Sequence, residues 1–138
     1  VARARLGREA TFIERLSAVL HDVRKPASRR AFEDGSVDFP GHEALGAKEV
    51  PGIAKTLGLS ERETAQLHFL VARHGDAHGV PVLSPQELQE LTSSPWAESL
   101  ALLQEADARS CILLDGSHLP IFWNELLPRK DAAASTRP

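Results

Sequence analysis

Residues 16–47 read LSAVLHDVRKPASRRAFEDGSVDFPGHEALGA. An apolar helical run, Leu16 to Leu20, ends in His21-Asp22. A basic segment follows, Arg24-Lys25-Pro26 with Arg29-Arg30, then a turn at Asp34-Gly35. Phe39-Pro40-Gly41-His42-Glu43 then opens a new helix. A His-Asp pair at the end of an apolar run puts polar groups where Leu or Ala would be easier to bury. Buried polar groups need partners, and a metal ion is one such partner.

Outward from this stretch, the apolar spacing predicts helices almost throughout. Upstream, Phe12, Leu16, Val19 and Leu20 mark a helix over 10–20, and residues 1–8 read as a frayed basic start. Pro26 cannot continue that helix, so 26–41 reads as a loop. From His42, the residues Gly46, Val50, Ile53 and Leu57 share a face; Pro51-Gly52 predicts a kink or break, and Gly58 a stop. Ser60-Glu61-Arg62-Glu63 is a capping box. The helix behind it carries Leu67, Leu70, Val71 and His74 on one face and is expected to end near His74, with Gly75 and Gly79 framing a loop that holds His78. Ser84-Pro85 opens a short helix to about Leu91. The next is expected from Trp96 to about Leu114, with Leu100, Leu103, Asp107, Cys111 and Leu114 in steps of three or four. Asp115-Gly116-Ser117 is a turn, and 120–127 a last short helix. No period-two alternation supports a sheet. The expected fold is all-α, a compact bundle of about five to seven helices over residues 1–127, with a disordered charged tail at 128–138.

Composition limits the function classes. The 138 residues fit one domain, with 42% hydrophobic and 25% charged residues. A net charge of -3 gives no general case for nucleic-acid binding. One cysteine, Cys111, forbids an intrachain disulfide and suits a reducing, cytoplasmic setting. No apolar run approaches the roughly 20 residues of a membrane span. The chain begins with Val and holds no Met, which reads as a processed or excised fragment. A P-loop is absent, which argues against a kinase.

Several polar residues sit where a core is expected. Asp107 lies on an apolar helix stripe between Leu103 and Cys111; unpaired there, a carboxylate would cost several kcal/mol. A divalent cation relieves that cost, and so would an ion pair with Arg73 or Arg109. His74 ends an apolar stripe, either as a ligand or as a helix C-terminal residue favoured by the dipole. His42 begins a helix, as a ligand or a surface residue. His68, His78 and His118 are read as non-ligands. Lys25, Arg29 and Arg30 would hold a phosphate, or form a solvated basic loop.

The ordered set His21-Asp22, Lys25-Pro26, Asp34-Gly35, Gly41-His42-Glu43 with Gly46-Ala47, then Arg73-His74 and Ala106-Asp107, resembles the HD domain of metal-dependent phosphohydrolases. It is most similar to the version fused to bacterial CCA-adding tRNA nucleotidyltransferases and poly(A) polymerases. The resemblance covers roughly residues 14–110. It implies a divalent metal, Mn, Fe, Co, Ni, Zn or Mg, held by His21, Asp22 and Asp107, with His42 and His74 available for a second. It further implies that Asp22 and Lys25 are catalytic, that Lys25 and Arg29 bind phosphate, and that the substrate is a nucleotide, an RNA-end phosphate or a 2′,3′-cyclic phosphodiester. The alternative is a non-catalytic HD-like module of an RNA-processing protein. The nucleotidyltransferase head's Gly-Ser and Asp-x-Asp motifs are absent. Two departures stand out: no His precedes His21, where the family has a further ligand, and Arg24 replaces a family Gly. A weakened metal site is therefore expected.

Overall fold

The computed structural model describes residues 1–128, and the tail expected beyond Pro128 lies outside them. The chain forms helices α1 (Ala2–Leu6), α2 (Phe12–Leu20) and α3 (Lys25–Ser28), then a two-stranded antiparallel ribbon, β1 (Arg30–Ala31) against β2 (Val37–Asp38). Helices α4 (His42–Leu57), α5 (Glu61–His78), α6 (Pro85–Thr92), α7 (Ala97–Ser110) and α8 (Trp123–Leu126) follow. This is the expected all-α bundle. Among the described residues no helix is long and apolar enough to cross a membrane.

The core is the seam where α2, α4 and α7 meet α5. Leu67, Leu70 and Val71 of α5 are fully buried, as are Leu100 and Ala101 of α7, with Val50 of α4 at 1% exposure. Three helices start with complete capping boxes, Thr11–Glu14, Ser60–Glu63 and Ser84–Glu87. Each satisfies two otherwise orphan backbone donors.

Several boundaries differ from expectation, each for a local reason. The first residues are helical, not frayed, because Arg5 bonds the buried Glu105 and Arg8 bonds Glu14 and Glu98. The loop expected at 26–41 holds α3 and the ribbon, closed where Ser36 donates to Asp34 Oδ1. Helix α4 runs through Pro51 without a break: the lost donor lies on its exposed side, and Val50 and Ala54 anchor it on the other. Helix α5 passes Gly75 and ends at His78, because Ala77 is fully buried and holds the last turn in the core. Helix α7 stops at Ser110, where the Asp115-Gly116-Ser117 turn pulls the chain into a tight return, Leu113 N–H donating to Ser117 O (2.8 Å). Leu114 is fully exposed at its tip. On α2, Phe12 and Val19 are exposed, and the inward row is Ile13, Ser17 and the partly buried Leu20.

Candidate metal centre

Four helices deliver the five predicted residues to one place. His21 caps the C-terminus of α2 and Asp22 follows it. His42 opens α4 after Gly41, whose φ of 71° is the left-handed turn that a glycine makes without strain. His74 lies one turn inside the end of α5, and Asp107 one turn inside the end of α7.

One local rule fixes all three imidazoles. Each donates its Nδ1–H to the carbonyl three residues upstream: His21 to Ala18 (2.8 Å), His42 to Phe39 (2.9 Å) and His74 to Val71 (2.7 Å). A carbonyl only accepts, so Nδ1 must carry the proton. In the neutral ring Nε2 is then a bare lone pair. These three lone pairs point at each other and at carboxylates. His42 Nε2 stands 3.1 Å from His74 Nε2; Asp22 Oδ1 is 3.1 Å from the first and 3.3 Å from the second. Between neutral rings of this tautomer, that nitrogen–nitrogen approach has no hydrogen to share. His21 Nε2 lies 3.2 Å from Asp22 Oδ2 and 3.3 Å from Asp107 Oδ1, yet is buried without an aligned hydrogen bond to either.

The result is two groups of three acceptors, Asp22–His42–His74 and His21–Asp22–Asp107, joined by the two oxygens of Asp22. Ligands about 2.1 Å from one ion, at right angles or tetrahedral, stand about 3.0–3.4 Å apart. The observed separations fall in that range, so the donor set fits a transition metal in either group. Imidazole and carboxylate suit Mn, Fe, Co, Ni or Zn. The Nδ1–H bonds to carbonyls are the outer contacts that fix such ligands.

The electrostatics agree. Burial pushes the Asp22 carboxyl up, but the Lys25 ammonium at 2.8 Å and the His21 ring outweigh it and hold the carboxyl below its usual value. The His21 ring 3.3 Å away, and then the hydrogen bond from His78, hold Asp107 well below the carboxylate range. Burial pushes His74 down and keeps it neutral. Burial opposes charge on His21, but Asp107 and Asp22 raise its pKa.

Asp107 pairs with neither Arg73 nor Arg109: Arg73 bonds Asp76, and Arg109 bonds Glu105. His42 and His74 are 8% and 4% exposed, so neither is a surface residue. Lys25 lines a cavity of about 180 Å³ together with Asp22, His42, His74 and Asp107, while His21 faces a neighbouring cavity beside Ala18 and Ala106. Arg29 is exposed at the end of α3 and does not line it. Arg30 is held by Asp38, and Arg24 faces Glu49 of α4 rather than the cavity. His68 and His118 are exposed, away from the cavity.

His78 is the correction. Expected in a loop apart from the site, it ends α5 and stands with Nε2 2.7 Å from Asp107 Oδ2. Gln104, 1% exposed, explains which hydrogen lies there. Its Oε1 accepts from Phe122 N–H, which fixes the amide, so its Nε2–H₂ donates to Pro120 O and to His78 Nδ1. His78 therefore donates from Nε2 and orients Asp107. The signal was present in the sequence as spacing: His74 and His78 are four apart and share a helix face once the helix runs past Gly75. Glu43 and Cys111 also line the cavity and were not singled out as site residues.

Comparison with protein-family models, with curated proteins and with solved structures gives no match for this chain.

Proposed function

We propose that this chain is a metal-dependent phosphohydrolase of the HD type, acting on a nucleotide, an RNA-end phosphate or a 2′,3′-cyclic phosphodiester. The observation that supports it best is the convergence of three imidazole Nε2 atoms and two carboxylates in two groups joined at Asp22, with the Lys25 ammonium bonded to that shared carboxylate. The motif resemblance supplies the substrate class. His21, Asp22 and Asp107 would hold one ion, and His42, His74 and the other oxygen of Asp22 a second. Bound there, Mn, Fe, Co, Ni, Zn or Mg supplies positive charge to a phosphoryl oxygen and acidity to water.

The chain's own residues do the rest. Asp22 joins the two groups and keeps Lys25 in place through a 2.8 Å bond. The Lys25 ammonium, also 5.4 Å from the Phe39 ring centroid, faces the phosphoryl oxygens as a point charge. Arg29, exposed just beyond α3, adds a cation on the approach for an anionic substrate.

The test is phosphate release from p-nitrophenyl phosphate, nucleoside monophosphates and 2′,3′-cyclic nucleotides, with each of the six metals. Metal-dependent turnover is expected, abolished in a His21→Ala, Asp22→Ala double variant and lowered about 10²–10³-fold in Lys25→Ala. Turnover that survives the double variant, or none with any metal in the wild type, would overturn the reading.

A further inference from the structure

We propose that Glu43 is a catalytic residue of this site, taking the proton of the attacking water, and that residue 75 is glycine to seat it; this rests on the phosphohydrolase reading above. Glu43 lines the same cavity as Asp22, His42, His74 and Asp107 but belongs to neither three-ligand group. Its charged contact in the cavity is His42 Nδ1 at 3.5 Å, and that nitrogen already gives its hydrogen to Phe39 O. Lys25, the ammonium nearby, bonds Asp22 instead. Among the described residues, the Glu43 oxygens thus line the cavity without a hydrogen-bond donor of their own.

Gly75 supplies the independent observation. It lies inside α5 with an ordinary helical backbone, so no positive φ calls for glycine. An interior helical glycine costs about 1 kcal/mol relative to alanine. A Cβ at this position would overlap Glu43 Oε1 and stand 3.1 Å from its Cδ and 3.3 Å from its Cγ. The missing side chain on α5 is the space that the Glu43 carboxylate occupies. An acidic residue in the first turn of α4 also complements the helix dipole. That effect places no demand on residue 75, and a carboxylate serving it alone is free to point into water.

The step balances. The water oxygen forms the new bond to phosphorus as the bond to the leaving oxygen breaks. The water's proton passes to Glu43 and is then returned to the leaving oxygen, so Glu43 ends the cycle as a carboxylate.

The test is a double-variant cycle read by phosphate release at saturating Mn²⁺, with Mn²⁺ affinity by calorimetry and melting temperature alongside. Glu43→Gln is expected to lower kcat by about 10²–10⁴-fold, leaving KM and Mn²⁺ affinity within about threefold. Gly75→Ala is expected to melt no lower than wild type, because the flexible carboxylate end yields and alanine is the better helix former. It should still lose kcat at least about tenfold, by displacing Glu43. The double variant should match Glu43→Gln, since Gly75 acts only through Glu43. Unchanged kcat in Glu43→Gln, multiplied losses in the double variant, or a Mn²⁺ affinity that falls with kcat would each overturn the proposal. A wild type inactive with every metal defeats the phosphohydrolase reading and this proposal with it; failure of the variants alone, beside an active wild type, defeats only this one.

Discussion

Glu14, on the inward face of α2, is 5% exposed and bonded by Arg8, by the Thr11 backbone and by Ser99. Burial pushes its carboxyl up, but those donors outweigh burial and hold it down to about 2. A folded value below the unfolded one, about 4.3, stabilises the fold above that unfolded value. The contribution is lost as pH falls from about 5 towards 2. Glu14→Gln should therefore cost on the order of 2–3 kcal/mol at pH 7, and the gap to wild type should narrow by pH 3. Urea melts at the two pH values check this, and a gap that stays constant would speak against it. Residues of this kind were only partly legible. His21, Asp22, His74 and Asp107 were readable because each interrupts or ends an apolar stripe, where a polar side chain needs a reason; His42, at a helix start, was readable only through the Gly41-His42-Glu43 motif. Glu14 was not, because it lies between Ile13 and Leu16 in sequence and its three donors come from Arg8, Thr11 and, far along the chain, Ser99. His78 was hidden by reading Gly75 as a helix stop, when that glycine makes room for a side chain of another helix.

Gly46 sets how closely α4 crosses α5. A Cβ there would stand 3.0 Å from Val71 Cγ1, 3.7 Å from Val23 Cγ1 and 3.9 Å from His21 O. The contact lies one turn from His42 on one helix and three residues from His74 on the other, so the spacing it permits is the spacing that brings the two rings together. Gly46→Val should destabilise the chain by about 1–3 kcal/mol through overpacking. Gly52→Ala, on the open side of the same helix with nothing within 4 Å, should stabilise it by up to about 1 kcal/mol. Denaturant midpoints of the two variants check the pair; equal effects would mean that the crossing is not tightly packed. At this scale the capped starts at Ser60 and Ser84 gave helix starts within a residue, because a cap is a local hydrogen-bond pattern. The ends were misjudged at Gly75 and at Leu114. An end is decided by whether the next turn has a core to bury into, as Ala77 has and Leu114 has not.

The bundle as a whole brings His21, Asp22, His42, His74 and Asp107 into one cluster from four helices, so the site exists only in the folded chain. The all-α class followed from helical periodicity alone. That the two ends of the candidate set share the two oxygens of Asp22 did not, since it depends on how α2 meets α4, α5 and α7. A ligand that binds only the folded state raises its stability, by about 2.7 kcal/mol at a concentration 100 times Kd. The direct measurement is the melting temperature of metal-stripped protein with and without Mn²⁺, Fe²⁺, Co²⁺, Ni²⁺ or Zn²⁺, for wild type and for Asp22→Asn, the residue common to both groups. A rise of about 5–10 °C in the wild type with at least one ion, largely absent from Asp22→Asn, is the predicted result; no rise with any of the ions, or an equal rise in the variant, would contradict a metal centre at His21, Asp22, His42, His74 and Asp107.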